Sequence, residues 1–387
     1  MKDCLNKAVY SSKRSAIREF SALARKTPGC VALTLGEPDF DTPRAAADAV
    51  YDALSAGETH YIANNGTDAL RNKISDYERS VNGLNYSPDE IIVTAGATEA
   101  LFTALFGIIN PGDEIIIPTP AFMLYEEIVK LCRGIPVFLD TSEDGFEINP
   151  DKLSALITDR TKAIIINSPN NPSGCVYSKA SLEGVRAAIK GKKIFVICDD
   201  VYRQLIYTDD YMTFADFDDM REQVMVVQSF SKPYAMTGWR VGYLMLPYEI
   251  KERLELIHQY IVVSTPAPFQ RACMAMLDED ISEMKDTYSA RREYVLKRLS
   301  EMRLEFRAPE GGFYVFPSVK KFGIPSADFC RRMIAEEGLA VTPGSCFGTE
   351  GYVRLTYCYS DDELKEGLDR LERFIAKLEK ELKEPEK

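Results

Sequence analysis

Between residues 90 and 230 the chain alternates short, almost unbroken apolar runs with longer stretches whose apolar residues recur every three or four positions. The runs at 90–94, 114–118, 162–167, 193–198 and 223–227 have the length of strands and are rich in β-branched residues. They lack polar alternation, which predicts burial on both faces. Stretches 99–109, 125–132 and 179–190 carry helical spacing between them. Strand–helix alternation of this kind predicts an α/β fold, a largely parallel sheet with helices on both sides. Ligands of such sheets bind beyond the carboxyl ends of the strands.

The last hundred residues follow another pattern. Residues 285–302 read as a long charged amphipathic helix, and 313–316 and 352–357 as strands. Ser360-Asp361-Asp362-Glu363 is a capping box. It opens a helix with Leu364, Leu368, Leu371, Ile375, Leu378 and Leu382 on one face. The tail 380–387 is charged and expected to fray. A chain of 387 residues exceeds the ~250–300 that one core serves, so two domains are expected. We divide it into 1–45, an N-terminal arm joining the smaller domain, 46–284, the large domain, and 285–387, a small α+β domain.

Charge narrows the partners. The net charge of −12 disfavours nucleic acid and anionic membranes. Nine cysteines, an odd number without a C-x-x-C pair, suit small buried hydrophobes in a reducing compartment. The first residues lack the basic-then-apolar plan of a secretory signal, and no uncharged apolar stretch approaches the ~20 residues that span a bilayer. A cytoplasmic protein is expected. Two histidines, His60 and His258, leave little room for a multi-histidine metal site.

Candidate chemistry gathers where the apolar runs end. Ser229-Phe230-Ser231-Lys232-Pro233-Tyr234-Ala235-Met236-Thr237-Gly238-Trp239-Arg240 follows one such run directly. A lone lysine is ordinarily a solvated surface residue. At a strand end, with its pKa lowered by burial and nearby cations, it can form an imine. Serine hydroxyls and a bidentate arginine beside it suit a phosphate, so together the segment suits a phosphorylated aldehyde. Thr94-Ala95-Gly96-Ala97-Thr98-Glu99 is a strand-to-helix turn, and the Ala97 and Thr98 amides at a helix N-terminus form a natural phosphate site. No G-x-G-x-x-G fingerprint occurs, which counts against a nicotinamide enzyme.

The lysine segment resembles the S-x-S-K-x-x-x-x-x-G-x-R signature of class I and II pyridoxal-phosphate (PLP) aminotransferases. Other stretches match that family in order, from about residue 11 to 378. Asp199-Asp200-Val201-Tyr202 resembles its D-E-V/I-Y element, with Asp200 for the usual glutamate. Asn170-Asn171-Pro172-Ser173-Gly174 resembles its N-P-T-G loop, with Ser173 for threonine. Leu35-Gly36-Glu37-Pro38 and Val353-Arg354-Leu355 resemble its two carboxylate-binding elements.

The resemblance implies PLP fold type I and a transaminase exchanging the amino group of an α-amino acid with a 2-oxo acid. It also implies residue roles. Lys232 carries the cofactor as a Schiff base and serves as general acid and base. Asp199 pairs with the pyridine nitrogen, and Tyr202 and Asn171 meet the ring oxygen. Phe122 stacks on the ring. Ala97, Thr98, Ser229, Ser231 and Arg240 hold the phosphate, with Tyr61 reaching it from the neighbouring subunit of a homodimer. Gly36, Asn171 and Arg354 receive the substrate carboxylate, and Ala16, Ile17 and Phe347 are read as pocket walls. Thr98 stands where some aspartate-using relatives carry lysine. These motifs leave open a C–S β-lyase on the same fold, or a non-catalytic PLP-binding sensor.

Overall fold

The computed structural model describes residues 4–12 and 16–383. Residues 1–3, read above for a secretory plan, and 384–387 of the charged tail lie outside the described residues. A seven-stranded sheet runs in the order Ile91–Thr94, Gly242–Met245, Val224–Ser229, Phe195–Asp199, Thr161–Asn167, Glu114–Thr119, Ile135–Asp140. Gly242–Met245 pairs antiparallel with both neighbours, and every other pairing is parallel.

Side chains alternate across this sheet with period two. Ile92, Ile115, Ile117, Ile165, Ile197, Val227 and Leu244 share a core with Leu101 and Leu105 of the helix Ala97–Ile108. Val93, Ile116, Ile164, Val196, Val226 and Met245 share the opposite core with Leu182 and Val185 of Lys179–Ile189 and Ile74 of Asp68–Asn82. These side chains are almost fully buried. At about 1.5–3 kcal/mol for each large aliphatic taken out of water, the two layers supply the main favourable term.

All five strands predicted between residues 90 and 230 form in this sheet, with ends shifted by one or two residues. Two further strands were not predicted. Ile135–Asp140 is a sheet edge with only Leu139 buried; its apolar run contains Pro136, which in sequence argues for an edge strand or none. Gly242–Met245 begins on a glycine immediately behind the lysine segment.

The smaller part is α+β. Thr342–Pro343, Val353–Thr356 and Tyr314–Val315 form an antiparallel sheet. Val31–Ala32 pairs in parallel with Leu339–Ala340, which ties an N-terminal segment to C-terminal strands. The capping box forms: Ser360 Oγ donates to Glu363 Oε2 at 2.7 Å, and Glu363 N donates to Ser360 Oγ at 3.4 Å. In the helix it opens, Asp361–Lys383, Leu364 through Leu378 are buried as expected. Leu382 is 55% exposed, a correction to the apolar face read from sequence. It lies beyond Leu378, the last buried residue of the helix, and Phe374 is the buried residue the spacing missed.

Strand register levels the ends that matter. Asn167 lies opposite Asp199, and Asp199 opposite Val227. Ser229 and Thr94 both lie opposite Gly242. A Cβ on Gly242 would stand 2.6 Å from the Gln228 carbonyl oxygen and 3.0 Å from the Ala97 nitrogen. Gly242→Ala is therefore expected to lower the urea midpoint by the equivalent of about 1–3 kcal/mol, because backbone on both sides cannot yield. An unchanged midpoint would show that the sheet and the 97–108 helix tolerate separation there.

Candidate active site

The strand ends and their loops surround one cavity of about 260 Å³. Twelve of the residues singled out in the sequence line it: Gly36, Ala97, Thr98, Phe122, Asn171, Asp199, Tyr202, Ser229, Ser231, Lys232, Arg240 and Arg354. Ile17 also lines it, while Phe347 stands behind Arg354 with its ring centroid 4.9 Å from the guanidinium carbon. The Ala16 side chain lies outside the described residues. Tyr61 is absent from the cavity wall and 90% exposed.

Asp199 ends the strand Phe195–Asp199 and is buried. Tyr125 Oη donates to its Oδ2 at 2.6 Å, while Oδ1 has no hydrogen-bond partner. Burial pushes the carboxyl pKa up to about 6, against the opposing pull of the Tyr125 hydrogen bond and the Lys232 charge. Asn167 Nδ2 donates to the Asp199 carbonyl at 2.8 Å and its Oδ1 accepts from Asn171 N at 2.8 Å, so the loop after one strand is pinned to the end of the next.

Lys232 is half-buried, and its Nζ donates to the Gly36 carbonyl at 2.6 Å. Withdrawal from water pushes its pKa down to about 8, and the cations Arg354 and Arg240 push the same way. Gly36 has a steric reason to be glycine, since a Cβ there would fall 1.7 Å from Tyr314 Oη. Tyr314 Oη in turn lies 2.8 Å from Tyr202 Oη. Arg354 is buried: its Nη1 donates to Asn171 Oδ1 at 2.8 Å, its Nη2 donates to the Thr34 carbonyl, and its guanidinium carbon lies 4.5 Å from the Tyr314 ring centroid.

The cavity wall also carries groups whose chemistry suits an anion. The helix Ala97–Ile108 presents first-turn N–H groups that no helical carbonyl can satisfy. Gly96, at φ +82°, precedes it, and a Cβ there would fall 2.5 Å from Arg240 Nη2. The close approach of that guanidinium thus depends on glycine. Arg240 takes a left-handed backbone, φ +57°, and its Nη1 donates to the Thr237 carbonyl at 2.9 Å. Ser229 and Ser231 are linked, with Ser231 N donating to Ser229 Oγ at 3.0 Å.

Among the lining residues, the sequence motifs include Asn167 and Thr237 without assigning them a role, and Tyr125 and Tyr314 were missed. Tyr125 was visible only as a helix residue three positions after Phe122, and Tyr314 as one of a strand's aromatics.

Known proteins with this arrangement are numerous. The family described as aminotransferase class I and II matches residues 28–371. The chain belongs to that family. It is 39% identical to an aspartate aminotransferase of Pyrococcus abyssi over 93% of this chain and 95% of that one. It is 36% identical to aromatic-amino-acid aminotransferase 2 of Thermococcus litoralis over the same shares. The solved aspartate aminotransferase of Thermotoga maritima superposes with a TM-score of 0.92 at 33% identity, covering 96% of this chain and all of that one. The fold is therefore PLP fold type I, and the protein is a PLP-dependent aminotransferase.

The cavity fits that cofactor by its own chemistry. A buried carboxylate oxygen without a partner suits a protonated ring nitrogen. A helix N-terminus with two serines and an arginine suits a phosphate. Only a neutral amine attacks an acyl reagent, and Lys232 becomes neutral near pH 8, whereas an ordinary lysine waits until ~10.4. Acetic anhydride applied to the PLP-free protein is expected to label Lys232 at a rate that climbs through pH 8 and then levels, with labelled peptides quantified by mass spectrometry. A rate still rising steeply at pH 10 would contradict the lowered pKa.

Proposed function

We propose that this aminotransferase works with α-amino acids and 2-oxo acids through the following assignment of its cavity residues. Lys232 holds the cofactor covalently at Nζ. The observation that carries the assignment is the orphaned Asp199 Oδ1, buried in the same cavity as a half-buried lysine whose pKa lies near 8. That oxygen would accept from the protonated ring nitrogen. Tyr202 and Asn171 would meet the ring oxygen, and Phe122 would stack on the ring without adding a polar contact. The Ala97 and Thr98 amides, Ser229, Ser231 and Arg240 hold the phosphate. When bound, the cofactor supplies an electron sink for the pair released from the substrate Cα–H bond.

The chain's own groups do the rest. Arg354 is braced from two sides, by Asn171 and by the Thr34 carbonyl, so its guanidinium meets a carboxylate with little rotamer entropy left to lose. The Gly36 backbone sits beside the same position. With the cofactor bound, Lys232 Nζ would be placed to take the proton from the substrate Cα and, as the resulting ammonium, to give it up again later in the reaction. Its hydrogen bond to Gly36 supports this role, because it aims the amine at the carboxylate end of the cavity.

The assembly in this proposal is a homodimer with Tyr61 contributed across the interface to the neighbouring phosphate. Exposed apolar side chains support it: Tyr61, Tyr260, Tyr51 and Phe106 are each more than half exposed. An interface would withdraw these side chains from water. All nine cysteines are free and six are buried, which supports a reducing, cytoplasmic setting. We retain residues 46–284 as the large domain and 1–45 with 285–387 as the smaller one.

Transamination is tested by incubating the PLP-loaded protein with single amino acids and 2-oxoglutarate and following both products. A new 2-oxo acid with stoichiometric glutamate is expected. Ammonia and pyruvate from a cysteine conjugate, without amino transfer, would instead indicate a lyase. Arg354→Lys keeps the charge but loses the fork. It is expected to raise KM for the amino acid by ~10–100-fold, the loss of one strong charged hydrogen bond, while leaving PLP binding unchanged. An unaltered KM would remove Arg354 from the carboxylate site.

A further inference from the structure

His258 takes no part in the cavity, yet it is fully buried on the helix Tyr248–Ile261 and bonded at both ends of its ring. Nε2 lies 2.7 Å from the Asn64 carbonyl, and Nδ1 lies 3.2 Å from each oxygen of Glu99. A carbonyl only accepts, so Nε2 donates to Asn64, and Nδ1 faces both oxygens of the Glu99 carboxyl group. Core packing alone would be served by an apolar side chain, with no polar ring to satisfy.

Glu99 is the third residue of the helix Ala97–Ile108, whose first two N–H groups belong to the phosphate cradle. Its Oε2 accepts from Ala95 N at 3.0 Å, and its Oε1 accepts from Thr103 Oγ1 at 2.7 Å. One carboxylate thus closes the Thr94–Gly96 turn from the side away from the cavity. A carboxylate in this first turn suits the helix dipole but repels a phosphate at the same N-terminus. The contact with Nδ1 fixes where the carboxylate points.

The other ring nitrogen holds the segment that carries Tyr61. Asn64 is gripped twice, because its Nδ2 also donates to the Val263 carbonyl at 2.7 Å. Val263 has φ +70°, a conformation that β-branched residues rarely adopt.

We propose that His258 is a positioning residue for the cofactor phosphate: it holds Glu99, and through Glu99 the turn Ala95–Thr98, in the receiving shape. This rests on the phosphate assignment of Ala97, Thr98 and Arg240 made above. Two substitutions separate the ring's ends. His258→Asn keeps a donor near the Nδ1 position, towards Glu99. His258→Gln keeps one near the Nε2 position, towards Asn64.

PLP dissociation constants of the purified variants, read from the absorption of bound cofactor during titration of the PLP-free protein, decide the matter. His258→Gln is expected to bind PLP ~10-fold more weakly and His258→Asn to stay within ~3-fold of the parent, the difference being one hydrogen bond to a charged group. Glu99→Ala removes the hold on Ala95 directly while leaving the Asn64 end of the His258 ring in place, and is expected to weaken PLP as His258→Gln does. It serves if His258→Gln does not fold, which the thermal midpoint without PLP reports. Equal losses in the Asn and Gln variants would overturn the proposal, as would unchanged PLP binding in both His258→Gln and Glu99→Ala. Arg240→Ala supplies the control: if it weakens PLP while those variants do not, the His258 proposal alone fails. If it leaves PLP binding intact, the phosphate assignment fails and the proposal falls with it.

Discussion

Asp199 sets the terms for the whole site. A carboxylate buried at the end of a central strand, with one oxygen bonded to Tyr125 and the other to nothing, is costly to keep ionised. Its pKa is accordingly raised to about 6. The arrangement is tolerable in an enzyme because a cation that arrives at the free oxygen recovers that cost as binding energy. Lys232, withdrawn from water and pushed towards its neutral form, shows the opposite shift in the same cavity. Each ionisable group is held away from its solution preference, in the direction that a bound cofactor would use.

The sheet makes this possible by register rather than by any single contact. Asn167, Asp199 and Val227 stand level on neighbouring strands, as do Thr94, Gly242 and Ser229. Loops that begin at one height reach one cavity. Three glycines then allow closeness that a side chain would prevent: Gly242 between sheet and helix, Gly96 beneath Arg240, and Gly36 against Tyr314.

Much of this was legible in the sequence because strands buried on both faces are written as unbroken apolar runs, and chemistry placed at their ends follows from the fold class. The edge strand Ile135–Asp140 was not, since Pro136 within its apolar run counts against a strand, and an edge tolerates a residue without an N–H. Neither was the reversed direction of Gly242–Met245, which depends on pairing with strands distant in sequence. Within the site, residues carried by family motifs were found, whereas Tyr125 and Tyr314 were not, because their roles arise from tertiary approach to Asp199 and Tyr202. Leu382 was misread because helical spacing says which face a residue is on but not where the packed partner ends.

The central claim is that Lys232 is the residue that holds the cofactor. It is tested most directly by reducing the PLP-loaded protein with borohydride, digesting it, and locating the pyridoxyl group by mass spectrometry. The account predicts one modified peptide, with the group on Lys232. Stoichiometric modification at any other lysine, with Lys232 unmodified, would contradict it.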